Sequence, residues 1–275
     1  MNPHANPSTS PLHLVKNLYK NRRLIIDLVK REIIGRYKGS AMGLLWSFFN
    51  PLLMLAVYSF VFGFVFKSRW QGGTGSNTEF ALVLFAGLLI FNFFSEILNR
   101  APSLILNNAN YVKKVIFPLD ILPVVALGSA FFHMLISLLV WLIFYFIFFG
   151  APSPNILYLP LVIIPLLFLT LGLAWFFSSL GVYLRDVGQF MGIATTVLMF
   201  LSPIFYPITS LPEKYQQAMY FSPLTYVVEE ARNVMLWNKG INWADWLMWT
   251  CISIVVALMG FIWFQKTRKG FADVL

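Results

Sequence analysis

The sequence predicts an all-α integral membrane protein. Six transmembrane helices are expected, with an N-terminal amphipathic interface helix and a re-entrant helix pair before the last span. Three observations predict this. The 275 residues are 59% hydrophobic and only 11% charged, against roughly 25% charged in a soluble domain. The apolar residues gather into six runs, each long enough for a hydrocarbon core of about 30 Å, which takes around 20 helical residues. The basic residues sit at the ends of those runs, mostly on alternate sides. The same reading excludes other classes. The single cysteine, Cys251, lies inside an apolar run, so neither a disulfide framework nor a cysteine metal site is expected. His4, His13 and His133 are too scattered for a ligand cluster. The net charge of +9 flanks apolar spans, so its partner is membrane lipid headgroups and not nucleic acid.

Residues 1–15 are polar and rich in Pro and Ser, and read as a disordered cytoplasmic tail without a cleaved signal peptide. Residues 16–40 form the interface helix. Between Arg22 and Lys38, Ile25, Ile26, Val29, Ile33 and Tyr37 share one face at helical spacing. Arg23, Asp27, Lys30, Arg31 and Lys38 share the other, with Ile34 on the wrong side. Such a helix lies in the headgroup plane, either as an anchor or in contact with a substrate or partner. After Gly39-Ser40 the charge stops, and a transmembrane domain is expected over 41–266.

The spans are placed near 41–66, 80–98, 120–149, 156–180, 187–206 and 245–265, followed by a cytoplasmic tail at 267–275. Pro51 predicts a kink in the first, because proline removes a hydrogen bond and crowds the preceding turn. Pro118 and Pro123 mark the start of the third, and Pro160 and Pro165 lie in the fourth. With both termini inside, the inside segments hold 15 of the 20 basic residues; Lys67, Arg69, Lys214, Arg232 and Lys239 fall outside. Residues 207–244 are too long for a turn and too apolar for a free loop. They read as two short helices, Pro212 to Phe221 and Leu224 to Leu236, broken at Ser222-Pro223. Pro223 suits a first helical turn. Backbone that dips and returns at membrane depth must be buried in protein or line a wet cavity.

No phosphate-binding Gly-x-x-x-x-Gly-Lys-Ser/Thr loop, no His-Glu-x-x-His and no nucleophile–base set is visible. Glu96 and His133 are the ionisable groups within spans, with Asp120 at a border. A proton relay needs more than this; Glu96 reads as the cytoplasmic end of span two and His133 as a helix-to-helix hydrogen bond. The loop from Arg100 to Leu122 holds a short helix-like segment at about 107–118. Tyr111, Val112, Ile116 and Phe117 are candidate anchors for docking in a groove on a soluble partner, or for lying in lipid. Phe200, Phe205, Tyr206, Tyr215, Tyr220 and Phe221 cluster around the fifth span and the re-entrant pair. Ordinary packing accounts for each singly. Together they offer faces on which the C–H side of a sugar ring can slide.

Four stretches resemble the permease subunits of ABC-2-type (type V) exporters, and among these the exporters of O-antigen, capsule and teichoic acid. They are Arg36-Tyr37-Lys38-Gly39-Ser40-Ala41-Met42-Gly43-Leu44-Leu45-Trp46-Ser47-Phe48-Phe49-Asn50-Pro51; Leu184-Arg185-Asp186-Val187; Ser222-Pro223-Leu224-Thr225-Tyr226-Val227-Val228-Glu229-Glu230-Ala231-Arg232; and Gly270-Phe271-Ala272-Asp273-Val274-Leu275. The resemblance implies a homodimer with two copies of a separate ATPase subunit, which binds ATP and Mg²⁺; no cofactor is expected in this chain. It implies a coupling helix, carried by Asn108, Tyr111, Val112, Lys113, Lys114, Ile116, Phe117 and Pro118. It implies as substrate a polysaccharide on undecaprenyl diphosphate, for which Arg36, Lys38 and Arg31 are the candidate cations by charge and position. The passage is expected between the first and fifth spans of the two copies, with Trp46 and Phe49 joining the aromatics above. An O-antigen type in a bacterial inner membrane is the favoured expectation. The alternatives are teichoic acid, capsule, drug or small-lipid export on the same fold, a secondary transporter, and more remotely an intramembrane enzyme.

Overall fold

A computed structural model describes residues 9–65, 70, 76–113 and 117–275. Among them the chain is helical with no strand. Among the described residues five helices are long and apolar enough to cross a membrane: Gly43–Phe62, Asn77–Ser103, Leu119–Phe149, Pro154–Tyr183 and Trp243–Val274. Their α-helical parts are α3 (Trp46–Tyr58), α4 (Asn77–Arg100), α6 (Leu122–Phe149), α7 (Leu159–Tyr183) and α11 (Trp243–Thr267). A π-helical stretch, Ser59–Val65, continues α3. The end of the first expected span, Phe66, lies outside the described residues.

α4 is the centre of the molecule. Val83, Leu84, Ala86, Ile90 and Ile97 on it are fully or almost fully buried, and α3, α6, α7, α8 (Val187–Leu201) and α10 (Pro223–Met235) all pack on it. The closest pair is α7 with α11, and glycine sets that distance. A Cβ at Gly172 would lie 2.6 Å from Ala257 Cα, and one at Gly260 would strike the Gly172 backbone. Small residues at such a crossing let two backbones touch, which is how helices associate where no water drives them together. Trp141 adds a link from α6 by donating its indole N–H to the Leu82 carbonyl at 3.0 Å.

The structure corrects several boundaries. The expected tail already forms α1 (Pro11–Lys20) from residue 11, with Pro11 in its first turn. The interface element is not one helix: it breaks at Asn21, and α2 (Arg22–Arg36) ends before Tyr37. Neither helix contains a fully buried residue, consistent with an interfacial position. The inward face of α2 carries Ile25, Leu28, Val29, Glu32 and Ile33, whereas Ile26 points outward, 51% exposed. Val29 meets Gly128, where a Cβ would come within 2.8 Å of it, so α2 lies directly on α6. The expected tail after residue 266 is also ordered. α12 (Phe271–Val274) folds back, and Phe271 is wholly buried against Phe264 and Tyr183.

The fifth expected span, 187–206, is a shorter helix than expected. α8 has 15 residues, about 22 Å at 1.5 Å per residue. It stops where Ser202 turns extended ahead of Pro203, because proline disfavours the helical region for the residue before it. The two short helices that follow are as expected in kind: α9 (Glu213–Tyr220) and α10 are separated at Ser222-Pro223, with Pro223 in the first turn. α9 buries nothing, while α10 buries Leu224, Val227, Val228, Ala231, Val234 and Met235.

Candidate functional site

The segment with most polar chemistry is the meeting point of α2, α3, α4 and α6. The Arg36 guanidinium donates to Glu96 Oε1 at 2.5 Å and to His133 Nδ1 at 2.9 Å. His133 Nε2 faces the Tyr37 hydroxyl at 3.4 Å. His133 Nδ1 also lies 3.3 Å from Glu96 Oε1, so the three side chains meet in one cluster. Arg100 ties the same carboxylate at 3.5 Å and reaches Glu32 on α2 at 2.5 Å. Burial pushes the Tyr37 phenol above its ordinary pKa; Arg36 opposes this and Glu96 adds to it. Glu96 and His133, which looked isolated in sequence, are thus one network that pins the end of α2 to spans two and three. It borders a cavity of 390 Å³ lined by Ser47, Asn50, Met54, Asn92, Ser95 and Ser137 among others. Of the cations expected to meet a diphosphate, Arg36 is already paired, while Arg31 and Lys38 are exposed.

The expected docking segment is shorter than a 107–118 helix. Two 3₁₀ turns, Ala101–Ser103 and Leu106–Asn108, lead into α5 (Ala109–Lys113). Lys114 and Ile116 lie outside the described residues, as does the Lys113 side chain. Tyr111 and Phe117 stack with ring centroids 4.3 Å apart. With Val112 they pack against a buried cluster of Ile105, Leu119, Trp175, Phe264 and Phe271. Asn108 donates to the Leu104 carbonyl at 2.8 Å, and Pro118 precedes the turn into span three. The anchors therefore touch the body of the protein on one side. Beside them a 230 Å³ cleft runs between α2 and this segment, bordered by Arg31, Glu32, Asn108 and Tyr111. Asp120, almost fully buried, accepts from Asn17 of α1 at 2.6 Å and lies 3.7 Å from Arg268. The N-terminal helix, the docking segment and the C-terminal end form one unit.

The aromatics separate into groups. Phe200 and Phe205 stack at 5.6 Å, Phe205 stacks on Phe62 at 5.7 Å, and Phe62 meets Phe80 at 5.9 Å. Tyr206 donates to the Phe200 carbonyl at 2.9 Å. Trp46 and Phe49 do not join them: they lie at the start of α3, 16 and 13 residues before Phe62, about 20 Å or more along the helix. Tyr215, Tyr220 and Phe221 are exposed on and after α9, Phe221 most of all at 82%.

Sequence reasoning missed Arg232, placed there among the outer charges. Its side chain is fully buried. Nε donates to the Val83 carbonyl at 3.1 Å, Nη1 to Pro203 at 2.5 Å and to Glu229 at 2.8 Å, and Nη2 to Ile204 at 2.8 Å. Its Cζ lies over the Trp70 ring, 4.5 Å from the centroid. It supplies donors to carbonyls left open where α8 unwinds, and locks α10 to α4. The signal was present: Arg232 falls four residues after Val228 and eight after Leu224, on the apolar face of α10.

The sequence pattern of the ABC-2 type transporter family matches residues 23–236, from α2 through the end of α10. The chain belongs to the ABC-2 type transporter family. It is similar to O-antigen export system permease proteins RfbA of Klebsiella pneumoniae, at 25% identity over 92% of this chain and 95% of the relative. It is similar to RfbA of Myxococcus xanthus, at 25% identity over 95% of this chain and 99% of the relative. The polysialic acid transport protein KpsM of Escherichia coli is 26% identical over 84% of this chain and 89% of its own length. As an ABC-2 family membrane protein the chain places its polar network, its short α8 and the cluster around Phe271 in a transporter.

Proposed function

We propose that this chain is the channel-forming permease subunit of an ATP-driven exporter that moves polysaccharide, of the O-antigen type and carried on undecaprenyl diphosphate, across a bacterial inner membrane. The observation that carries this reading is the near full-length match to permeases named for O-antigen and polysialic acid export. Two chains would form a homodimer with the passage between their first spans and α8. α8 would act as a short fifth span, completing six with both termini cytoplasmic. α9 and α10 would dip into the outer leaflet and return. ATP and Mg²⁺ would be held by two copies of a separate ATPase subunit, docked at Asn108 to Pro118. Nucleotide binding there would shift the docked segment, and the shift would pass to span three and α12 as a rigid-body motion.

Arg31 and Lys38, exposed beside the paired Arg36, would meet the diphosphate at the membrane surface. Co-purification tests the docking. Tyr111→Ala with Phe117→Ala is expected to lose the ATPase subunit while the permease stays in the membrane; full retention of the complex would remove the docking assignment. Arg31→Gln with Lys38→Gln is expected to weaken stimulation of ATP hydrolysis by the lipid-linked glycan. An unchanged response would return both cations to phospholipid anchoring.

A further inference from the structure

The polar wall of the 390 Å³ cavity follows a helical period. On α4, Asn92, Ser95, Glu96 and Asn99 stand at i, i+3, i+4 and i+7, forming one stripe on a helix whose other faces are almost wholly apolar. Asn92 is eleven residues from the end of its 27-residue span at Ser103, about 16 Å along the axis. The stripe therefore runs from mid-depth to the cytoplasmic end. Uncompensated polar groups at that depth are unfavourable. Asn99 has a partner, accepting from Thr195 of α8 at 3.0 Å. The side chains of Asn92 and, across the cavity on α3, Asn50 are exposed and bond no protein group among the described residues, while Ser95 Oγ donates to the Asn92 backbone carbonyl at 3.3 Å.

We infer that Asn50, Asn92 and Ser95 form a binding site for the hydroxyls of a neutral sugar unit, in the inner half of the path that the glycan-export reading requires. The chemistry of the wall selects this ligand. A carboxamide both donates and accepts, as a sugar hydroxyl does. The cavity's cation, Arg36, is neutralised by Glu96, so a bare diphosphate finds no free charge here. Outward of Asn92 the same wall becomes Leu88, Leu89 and Phe85, surfaces that suit the C–H face of a pyranose ring. The volume falls in the range of about 300–1,000 Å³ typical of small-ligand clefts, so the site takes a unit or two of a polymer and not its whole cross-section. The inner half thus binds hydroxyls, and the Phe200–Phe205–Phe62 stack offers ring faces further along.

The test uses the permease with its ATPase subunit in vesicles. ATP hydrolysis is measured with undecaprenyl-diphosphate-linked polysaccharide and with undecaprenyl diphosphate that carries no sugar. Leucine at both positions (N50L/N92L) suits an apolar helix, and co-purification of the ATPase subunit with a single size-exclusion peak reports an intact complex. Its response to the glycan-lipid should require about tenfold more ligand, as expected for one or two lost hydrogen bonds. Its response to the sugar-free lipid should not change, and Asn92→Gln should keep most of the glycan response. If the double variant does not assemble, Asn92→Ala alone carries the same comparison. A wild-type glycan response in the leucine variant overturns the site. Equal loss with both lipids also overturns it, and gives the cavity to the diphosphate. Indifference of the wild-type complex to the glycan-lipid fails the export reading itself, a result distinct from the other two.

Discussion

Gly87 lies directly against the guanidinium of Arg232: a Cβ built at position 87 would sit 2.5 Å from Nη2. The arginine cannot give way, because Val83, Pro203, Ile204 and Glu229 hold it on four sides. Gly87→Ala is therefore expected to lower stability by about 1–3 kcal/mol, the usual range for overpacking. Thermal unfolding of the purified permease reads it.

Arg232→Met should be more damaging. It leaves the Pro203 and Ile204 carbonyls without their donor and Glu229 without its cation, and each buried polar group left unsatisfied costs about 1–3 kcal/mol. The expected outcome is loss of monodisperse protein in size-exclusion chromatography at normal synthesis. Arg232→Lys should recover only part, since an ammonium cannot fan out to three carbonyls on two elements.

The α7–α11 crossing gives a paired prediction. Gly172→Ala drives a methyl into the Ala257 backbone and should destabilise by about 1–3 kcal/mol. Gly192→Ala, on α8 with nothing within 4 Å, should change stability by no more than about 1 kcal/mol and in the favourable direction. Comparing the two melting temperatures in one detergent separates close approach from helix propensity.

At the Arg36–Glu96 pair the two truncations should differ. Arg36, 36% exposed, can turn to water when Glu96→Gln removes its partner. Glu96, 21% exposed, keeps Arg100 at 3.5 Å and His133 at 3.3 Å but loses its shortest partner when Arg36→Gln is made. Arg36→Gln is thus expected to be the more destabilising. A double-mutant cycle should give a coupling of about 1 kcal/mol, near the upper end for pairs with some solvent screening.

What the sequence made legible were features set by local rules. Apolar length located five helices, and Pro223 in its first turn marked α10. The bond from His133 to other helices followed from a polar group in an apolar run. What it hid depended on tertiary contact. The composition from Val187 to Tyr206 is apolar enough for a crossing, but Pro203 ends the helix, and Arg232, remote in sequence, receives the freed carbonyls. The residues after 266 look like a free tail until Phe271 finds Phe264 and Tyr183. Arg36 looked like an available cation because Glu96 is 60 residues away. The cavity stripe of α4 was present as a period of four polar residues, masked by the hydrophobic mean of the helix around it.

Glycan export is tested by where the polymer resides in cells lacking this chain. Lipid-linked polymer in the cytoplasm is separated from surface polymer on gels and by antibody labelling of intact cells. Polymer trapped inside, with surface display restored by the wild-type gene, is the expected result. Normal surface polymer in such cells, with no second exporter present, would contradict it.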